Sequence, residues 1–148
     1  HTPYRLNIHR DEFCKLAWQT IQTVNPNINL PELAQPFSDC DEDIVRQIAA
    51  LGIVTGYEEG TFQPTRELSR QEAAVILQRL YTVLYGKIEA SPTLYADNGS
   101  IGVWAKNSVY AMRQTGIMQG VGTNRFDPKN GYTCEQALVT MLRMTQKA

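Results

Sequence analysis

The sequence predicts an all-α fold made of tandem helix–loop–helix repeats. The first observation is an internal repeat, because a fixed period indicates structural units that pack against one another. The second is the helical spacing of apolar residues on both sides of a glycine-rich loop. The third is a capping box that begins the helix after that loop. The repeated residues are Gly52, Ile53, Gly56, Phe62 and Pro64, which return 64 positions later as Gly116, Ile117, Gly120, Phe126 and Pro128.

Each repeat consists of a front helix, a loop and a back helix. Apolar residues of segment 43–51 fall on one helical face. Gly52 follows at the place where a left-handed residue commonly ends a helix. Gly56 marks the loop, where only glycine accepts positive φ at low cost. Ser69 and Glu72 form the S-x-x-E capping box, which predicts the start of the back helix.

A third copy of the back half lies at the N-terminus, where residues 8–12 match residues 68–72 at a distance of 60 positions. Residues 10–24 then form a helix. The equivalent of Gly52 would lie before residue 1, so we expect the front helix of repeat one to be missing. The chain also starts at His1 without a methionine, which is typical of a fragment. The predicted units are 1–34 (back half of repeat one with a linker), 35–90 (repeat two) and 91–148 (repeat three).

This register predicts two further features. Repeat three has six more residues than repeat two, including Ile101 and Trp104, and we expect them ahead of its front helix. In repeat one, the face carrying Phe13, Leu16 and Ile21 should lack its partner helix. An exposed apolar face of that kind favours contact with a neighbour, so we expect either self-association through this helix or a lower stability than that of a chain extended at its N-terminus.

Composition excludes several classes of function. The chain has 148 residues, of which 43% are hydrophobic, enough for one good core. With 14 basic and 15 acidic residues and no basic cluster, it lacks the charge pattern of nucleic-acid binding. No apolar run approaches the roughly 20 residues that span a bilayer. The three cysteines form no CxxC pair and indicate no disulfide framework.

These motifs resemble a known family. The openings Phe37-Ser38-Asp39 and Tyr95-Ala96-Asp97, a Trp-Ala pair at 104–105, the G-I-x-x-G loop and the [ST]-R-x-E helix start are similar to those of S-layer homology domains. The resemblance covers about two and a half modules, and the third looks like the last module of triplets in clostridial surface proteins. It implies a pseudo-threefold helical assembly outside the cell. It also implies a non-catalytic anchor for a secondary cell-wall polysaccharide, often through a pyruvylated sugar.

Local chemistry agrees with an anionic sugar as ligand. The first turn of a helix has free N–H groups and favours anions, and an arginine there adds a two-pronged donor for a carboxylate. Glycines would let the backbone approach a sugar, and an indole could stack on its apolar face. The candidate glycan-binding residues are Arg10, Asp39, Gly56, Arg70, Asp97, Trp104 and Gly120.

Structural alternatives stand beside these assignments. The arginines could be solvated surface residues, and the glycines could serve turn geometry alone. Trp104 could be a packing residue, and the two aspartates could cap the turns that follow them. In repeat three, Cys134 and Gln136 replace the motif's Arg and Glu, so we expect one or two working sites.

Other chemistries have less support. The Asp39-x-Asp41-x-Asp43 pattern lacks the glycine and the last glutamate of a calcium loop, and His9 with Cys14 is too sparse for zinc. We therefore expect no metal and no cofactor. No repeat combines a nucleophile with a base, which argues against an enzyme. The remaining alternative to the anchor is a degenerate module that serves as a protein-interaction or spacer domain.

Overall fold

The computed structural model describes residues 5–148, and these form five α-helices joined by loops. Among the described residues, β-structure is limited to isolated bridges, so the predicted all-α fold is confirmed. No helix in this part of the chain is long and apolar enough to cross a membrane. The helices are α1 (Arg10–Val24), α2 (Asp43–Ala50), α3 (Arg70–Tyr85), α4 (Val103–Gln114) and α5 (Cys134–Thr145).

Helices begin and end at the residues that the local sequence signals predict. Gly52 follows α2 with a φ of 79°, a conformation that costs other residues free energy. At the start of α3, the Ser69 hydroxyl accepts the Glu72 N–H, while Glu72 Oε1 accepts the Ser69 N–H at 2.9 Å. Both halves of the capping box are therefore present.

Three equivalent residues meet at the centre of the molecule and close a ring of backbone hydrogen bonds. The Leu68 N–H donates to Ile8 O at 3.2 Å, Ile8 N–H to Tyr132 O at 2.9 Å, and Tyr132 N–H to Leu68 O at 2.9 Å. All three side chains are buried. The ring leads into α1, α3 and α5, so the three back helices are related by a pseudo-threefold axis.

Each front helix packs against the back helix of the preceding repeat. Helix α2 lies on α1, and α4 lies on α3. Between α4 and α3, the Ser108 hydroxyl and Gln78 Oε1 form a hydrogen bond of 2.6 Å. The Gly102 N–H donates to Gln71 Oε1 at 2.8 Å. Consecutive repeats are therefore interlocked rather than arranged side by side.

Two predictions about packing are wrong. The α1 face is not exposed: Phe13 and Ile21 are both 0% accessible and Leu16 is partly buried. Helix α1 packs against α2 and α5, which cover this face. The structure therefore gives no reason to expect self-association through α1.

In repeat three, Trp104 does not precede the front helix but lies in the first turn of α4, which has 12 residues, whereas α2 has 8.

The exposed apolar face belongs to α5 instead. Leu138 and Leu142 are 44% and 59% accessible. The residues 64 positions earlier, Ala74 and Gln78, lie on α3 and face α4. Among the described residues no helix takes the corresponding place on α5. The division into units 1–34, 35–90 and 91–148 stays a prediction, and residues 1–4 of the first unit lie outside the described part.

Candidate functional site

Arg10 and Arg70 occupy the first positions of α1 and α3 and make the same contacts in two different places. Arg10 Nε donates to the Phe62 carbonyl at 3.0 Å, and its Nη2 donates to the Thr55 carbonyl at 2.6 Å. Arg70 Nε and Nη2 donate to the carbonyls of Phe126 and Gln119 at 2.9 and 2.8 Å. Each arginine thus ties its helix to the glycine loop of the next repeat.

Both guanidinium groups are buried, and neither forms an ion pair with any of residues 5–148. Arg10 is 9% and Arg70 4% accessible, and no carboxylate in the described part of the chain lies within 4 Å of either. Burial lowers the pKa of both groups, but arginine stays charged at neutral pH. Their Nη1 atoms donate to no group among residues 5–148. Each arginine is therefore a fixed positive charge with donors to spare.

Asp39 and Asp97 hold the loops from the other side. The Asp39 carboxylate accepts N–H groups of Phe62 and Gln63 at 2.7 and 2.9 Å. Asp97 accepts the equivalent groups of Phe126 and Asp127 at 2.9 and 2.8 Å. Bonds from Phe62 and Gln63 lower the pKa of Asp39. Burial alone would raise the pKa of Asp97, but its backbone bonds outweigh that effect and lower it.

Gly56 and Gly120 are glycines because a side chain would not fit at either position. Neither residue has a positive φ, whereas Gly60 of the same loop as Gly56 does. A Cβ on Gly56 would lie 2.9 Å from the Thr61 carbonyl oxygen, and one on Gly120 would lie 2.6 Å from that of Arg125. Real Cβ atoms do not approach backbone that closely.

Two equivalent grooves form where these parts meet. The Arg10 groove has a volume of about 280 Å³ and is lined by Arg10, Thr55, Gly56, Tyr57, Leu68, Glu72, Val75, Ile76, Arg79 and Trp104. The Arg70 groove has about 390 Å³ and is lined by Arg70, Met118, Gln119, Gly120, Val121, Thr133, Glu135, Gln136, Val139, Thr140 and Arg143.

The structure brings most of the predicted site residues into these grooves. Arg10, Gly56 and Trp104 line the first groove, and Arg70 and Gly120 line the second. Trp104 is 61% accessible, so it is not a core residue. Asp39 and Asp97 line neither groove. The Arg10 groove draws its lining from all three repeats, through α1, the loop of repeat two, α3 and α4.

Sequence reasoning missed the second arginine of each groove. Arg79 lines the Arg10 groove and Arg143 lines the Arg70 groove. They are separated by 64 positions, the period of the repeat, so a comparison carried through the back helices shows that this arginine recurs, although not that it lines a groove. Each groove is lined by two arginines and one carboxylate, which is Glu72 in the Arg10 groove and Glu135 in the Arg70 groove. Both grooves therefore favour a negatively charged ligand.

At the third equivalent helix start, the thiol of Cys134 replaces the guanidinium. Its backbone N–H donates to Leu6 O at 2.8 Å, so the position is built in the same way but carries no cation. A cluster of His9, Asp11 and Glu12 could offer atoms to a metal ion. Glu12 Oε1 already accepts the His9 N–H at 3.0 Å and Asp11 Oδ1 the Glu12 N–H at 2.8 Å. These groups cap α1.

Comparison with known proteins agrees with this architecture. The S-layer homology domain family matches residues 38–74 and 99–133. An S-layer protein of Bacillus thuringiensis subsp. finitimus is 32% identical over 100 residues, covering 68% of this chain and 12% of that protein. An endoglucanase of Bacillus sp. (strain KSM-635) is 30% identical, covering 69% and 11%. An amylopullulanase of Thermoanaerobacterium thermosulfurigenes is 29% identical, covering 66% and 5%. The chain thus spans about an eighth or less of these relatives.

Proposed function

The chain belongs to the S-layer homology domain family, and on that premise we propose that it binds an anionic secondary cell-wall polysaccharide in the Arg10 and Arg70 grooves. Domains of this family are non-catalytic and anchor surface proteins to the cell wall. The chain accordingly acts outside the cell, at the wall or S-layer. A sugar carrying a carboxylate, such as a pyruvyl ketal, is the ligand that this chemistry fits best.

The observation that carries the proposal is a buried arginine at the floor of each of two equivalent grooves, and neither arginine has an ion-pair partner among residues 5–148. A buried charge is costly unless another group compensates it. The backbone carbonyls do so in part, and a carboxylate that reaches Nη1 of Arg10 or Arg70 would complete it with a charge-assisted hydrogen bond. Arg79 and Arg143 add a second cation at the rim of each groove.

The proposal gives the predicted site residues two different roles. Arg10, Arg70, Gly56, Gly120 and Trp104 face the sugar, with the indole of Trp104 providing an apolar platform in the Arg10 groove. Asp39 and Asp97 act indirectly, because their carboxylates hold the loops whose glycines and carbonyls shape the two grooves.

The experiment that tests the site uses exposed groove residues, because replacing a buried arginine would disturb the loop as well. We expect Trp104→Ala and Arg79→Ala each to weaken binding to purified cell-wall sacculi about tenfold, which corresponds to about 1.4 kcal/mol. Val103→Ala is the matched control, since Val103 adjoins Trp104, is 86% accessible and lines neither groove. Equal binding by all three variants would contradict the Arg10 groove as a glycan site.

One observation favours the alternative of an interaction or spacer module. The exposed leucines of α5 form an apolar surface beside the Arg70 groove, and Val139 belongs to both. If the folded chain does not bind sacculi at all, the polysaccharide proposal fails and this alternative takes its place.

A further inference from the structure

A third cavity lies next to the Arg70 groove and is built differently. It has a volume of about 480 Å³ and is lined by Tyr95, Arg113, Gly120, Asn124 and Arg125, among others. It shares Gln119 and Gly120 with the Arg70 groove, so the two spaces lie on either side of the same loop. We call it the Tyr95 cavity.

The Tyr95 hydroxyl is the first sign of a ligand. Tyr95 is 4% accessible, and its hydroxyl is buried with no hydrogen-bond partner among the described residues. Buried hydroxyl groups in folded proteins nearly always have a partner. The ring is held in place by Phe126, with centroids 5.6 Å apart, and by the Arg113 guanidinium 5.3 Å from its centre. Tyr95 lines the cavity, so an oxygen atom of a ligand bound there would supply the partner that its hydroxyl lacks among the described residues.

The charge of the cavity indicates which kind of ligand it favours. Arg113 and Arg125 are the charged residues that line it, and no carboxylate does. Arg125 Nε lies 3.9 Å from Asp97 Oδ2, but both oxygens of Asp97 already accept backbone N–H groups. Arg113 has no carboxylate within 4 Å in the described part of the chain. The cavity is therefore positive and favours an anion.

Repeat two shows that the fold does not need these residues. The place of Tyr95 is taken there by Phe37, whose ring packs on Phe62 with centroids 5.2 Å apart. The residues 64 positions before Arg113 and Arg125 are Ala49 and Thr61. The hydroxyl and both cations are thus additions of repeat three to a loop that packs well without them.

We propose that the Tyr95 cavity is a second subsite, which takes an acidic sugar unit next to the one held in the Arg70 groove. The inference rests on the proposed function and adds that one loop grips two consecutive units of the polymer. Tyr95 hydrogen-bonds a sugar oxygen, and Arg113 and Arg125 hold the unit's negatively charged group. Gly120 lines both spaces, so the two units would lie on either side of this one residue.

The test measures binding of two fragments of the wall polysaccharide. The short fragment is a single repeating unit, and the long fragment is a chain of several units. We expect Tyr95→Phe and Arg113→Ala to weaken binding of the longer fragment about tenfold and to leave binding of the single unit unchanged. Tyr95→Phe restores the residue type of repeat two and should fold normally. Lys129→Ala is the matched control, since it removes an exposed cation of repeat three that lines neither space.

Two outcomes overturn the inference in different ways. If the wild-type chain binds both fragments equally, or if the variants bind the long fragment as the wild type does, the second subsite is absent while the proposed function stands. If the wild-type chain binds neither fragment nor intact sacculi, both fail together. Titration with glucuronate and with inorganic phosphate, followed at the Nε–H signals of Arg113 and Arg125, shows which anion the subsite takes. Unchanged signals with both anions would also contradict it.

Discussion

At the residue scale, Arg70 combines a structural role with a charge. Its side chain bridges two carbonyl oxygens of the loop at Gln119 and Phe126, and its backbone N–H donates to Asn130 O at 2.9 Å. The sequence predicted a cation at this helix start. It could not predict that the guanidinium turns inward, because the carbonyls it meets lie 49 and 56 positions away. The charge is therefore fixed in the floor of the groove.

Replacing Arg70 should destabilise the fold. We expect Arg70→Ala to lower the free energy of unfolding by roughly 2–4 kcal/mol, because one buried and one part-buried carbonyl lose their donors and a buried side chain leaves a void. Arg70→Lys should recover only part of this, since an ammonium group lacks the fork that reaches both carbonyls. Urea unfolding of both variants measures the loss in free energy of unfolding, and Arg66→Ala, at an exposed position, is the control. A loss under about 0.5 kcal/mol for Arg70→Ala would contradict the structural role.

The Asp97 carboxylate should make stability depend on acid pH. Its pKa is lowered in the folded chain, so its contribution is complete above the unfolded value of about 3.9. That contribution is lost as pH falls through the lower folded value. We therefore expect Asp97→Asn to reduce the loss of stability on acidification below about pH 4. Asp41→Asn is the control, because Asp41 is exposed and accepts no hydrogen bond from a described residue. Unfolding curves with the same pH slope for wild type and Asp97→Asn would exclude this role.

At the scale of elements, the sequence was most informative where a local signal acts. The capping boxes, the glycine after α2 and the period of the loops all predicted their structures correctly. The packing of helices was predicted less well. The sequence of repeat one, taken alone, predicts that the exposed face lies on α1. The structure covers α1 with the front helix of repeat two and leaves the leucines of α5 exposed.

Because a front helix packs on α3 and none of the described helices packs in the same place on α5, leucines on these two equivalent helices should differ in how much they stabilise the fold. Leu77 of α3 is 0% accessible, whereas Leu142 of α5 is 59% accessible. We expect Leu77→Ala to lower the free energy of unfolding by about 2–5 kcal/mol and Leu142→Ala by less than about 0.5 kcal/mol. Chemical denaturation of both variants measures the difference. Similar losses for the two would mean that another surface covers α5 in solution.

At the scale of the whole molecule, the pseudo-threefold ring explains why the grooves lie between repeats. Helices α1 and α3 each start beside the loop of the following repeat, so the arginine at either helix start faces that loop. A recurring motif predicts that such sites recur. It does not predict the cavity walls, which come from residues such as Arg79, Arg143 and Tyr95 on different helices and loops. Only the assembled structure brings those residues together.

The central claim is that this chain anchors to the wall through an anionic polysaccharide. Sedimentation of the purified chain with cell-wall sacculi tests it most directly, with and without chemical removal of the secondary polymer. We expect the chain to pellet with intact sacculi, to remain in the supernatant after that removal, and to pellet less as salt screens the arginines. Equal pelleting with stripped sacculi, or no pelleting with intact ones, would contradict the claim.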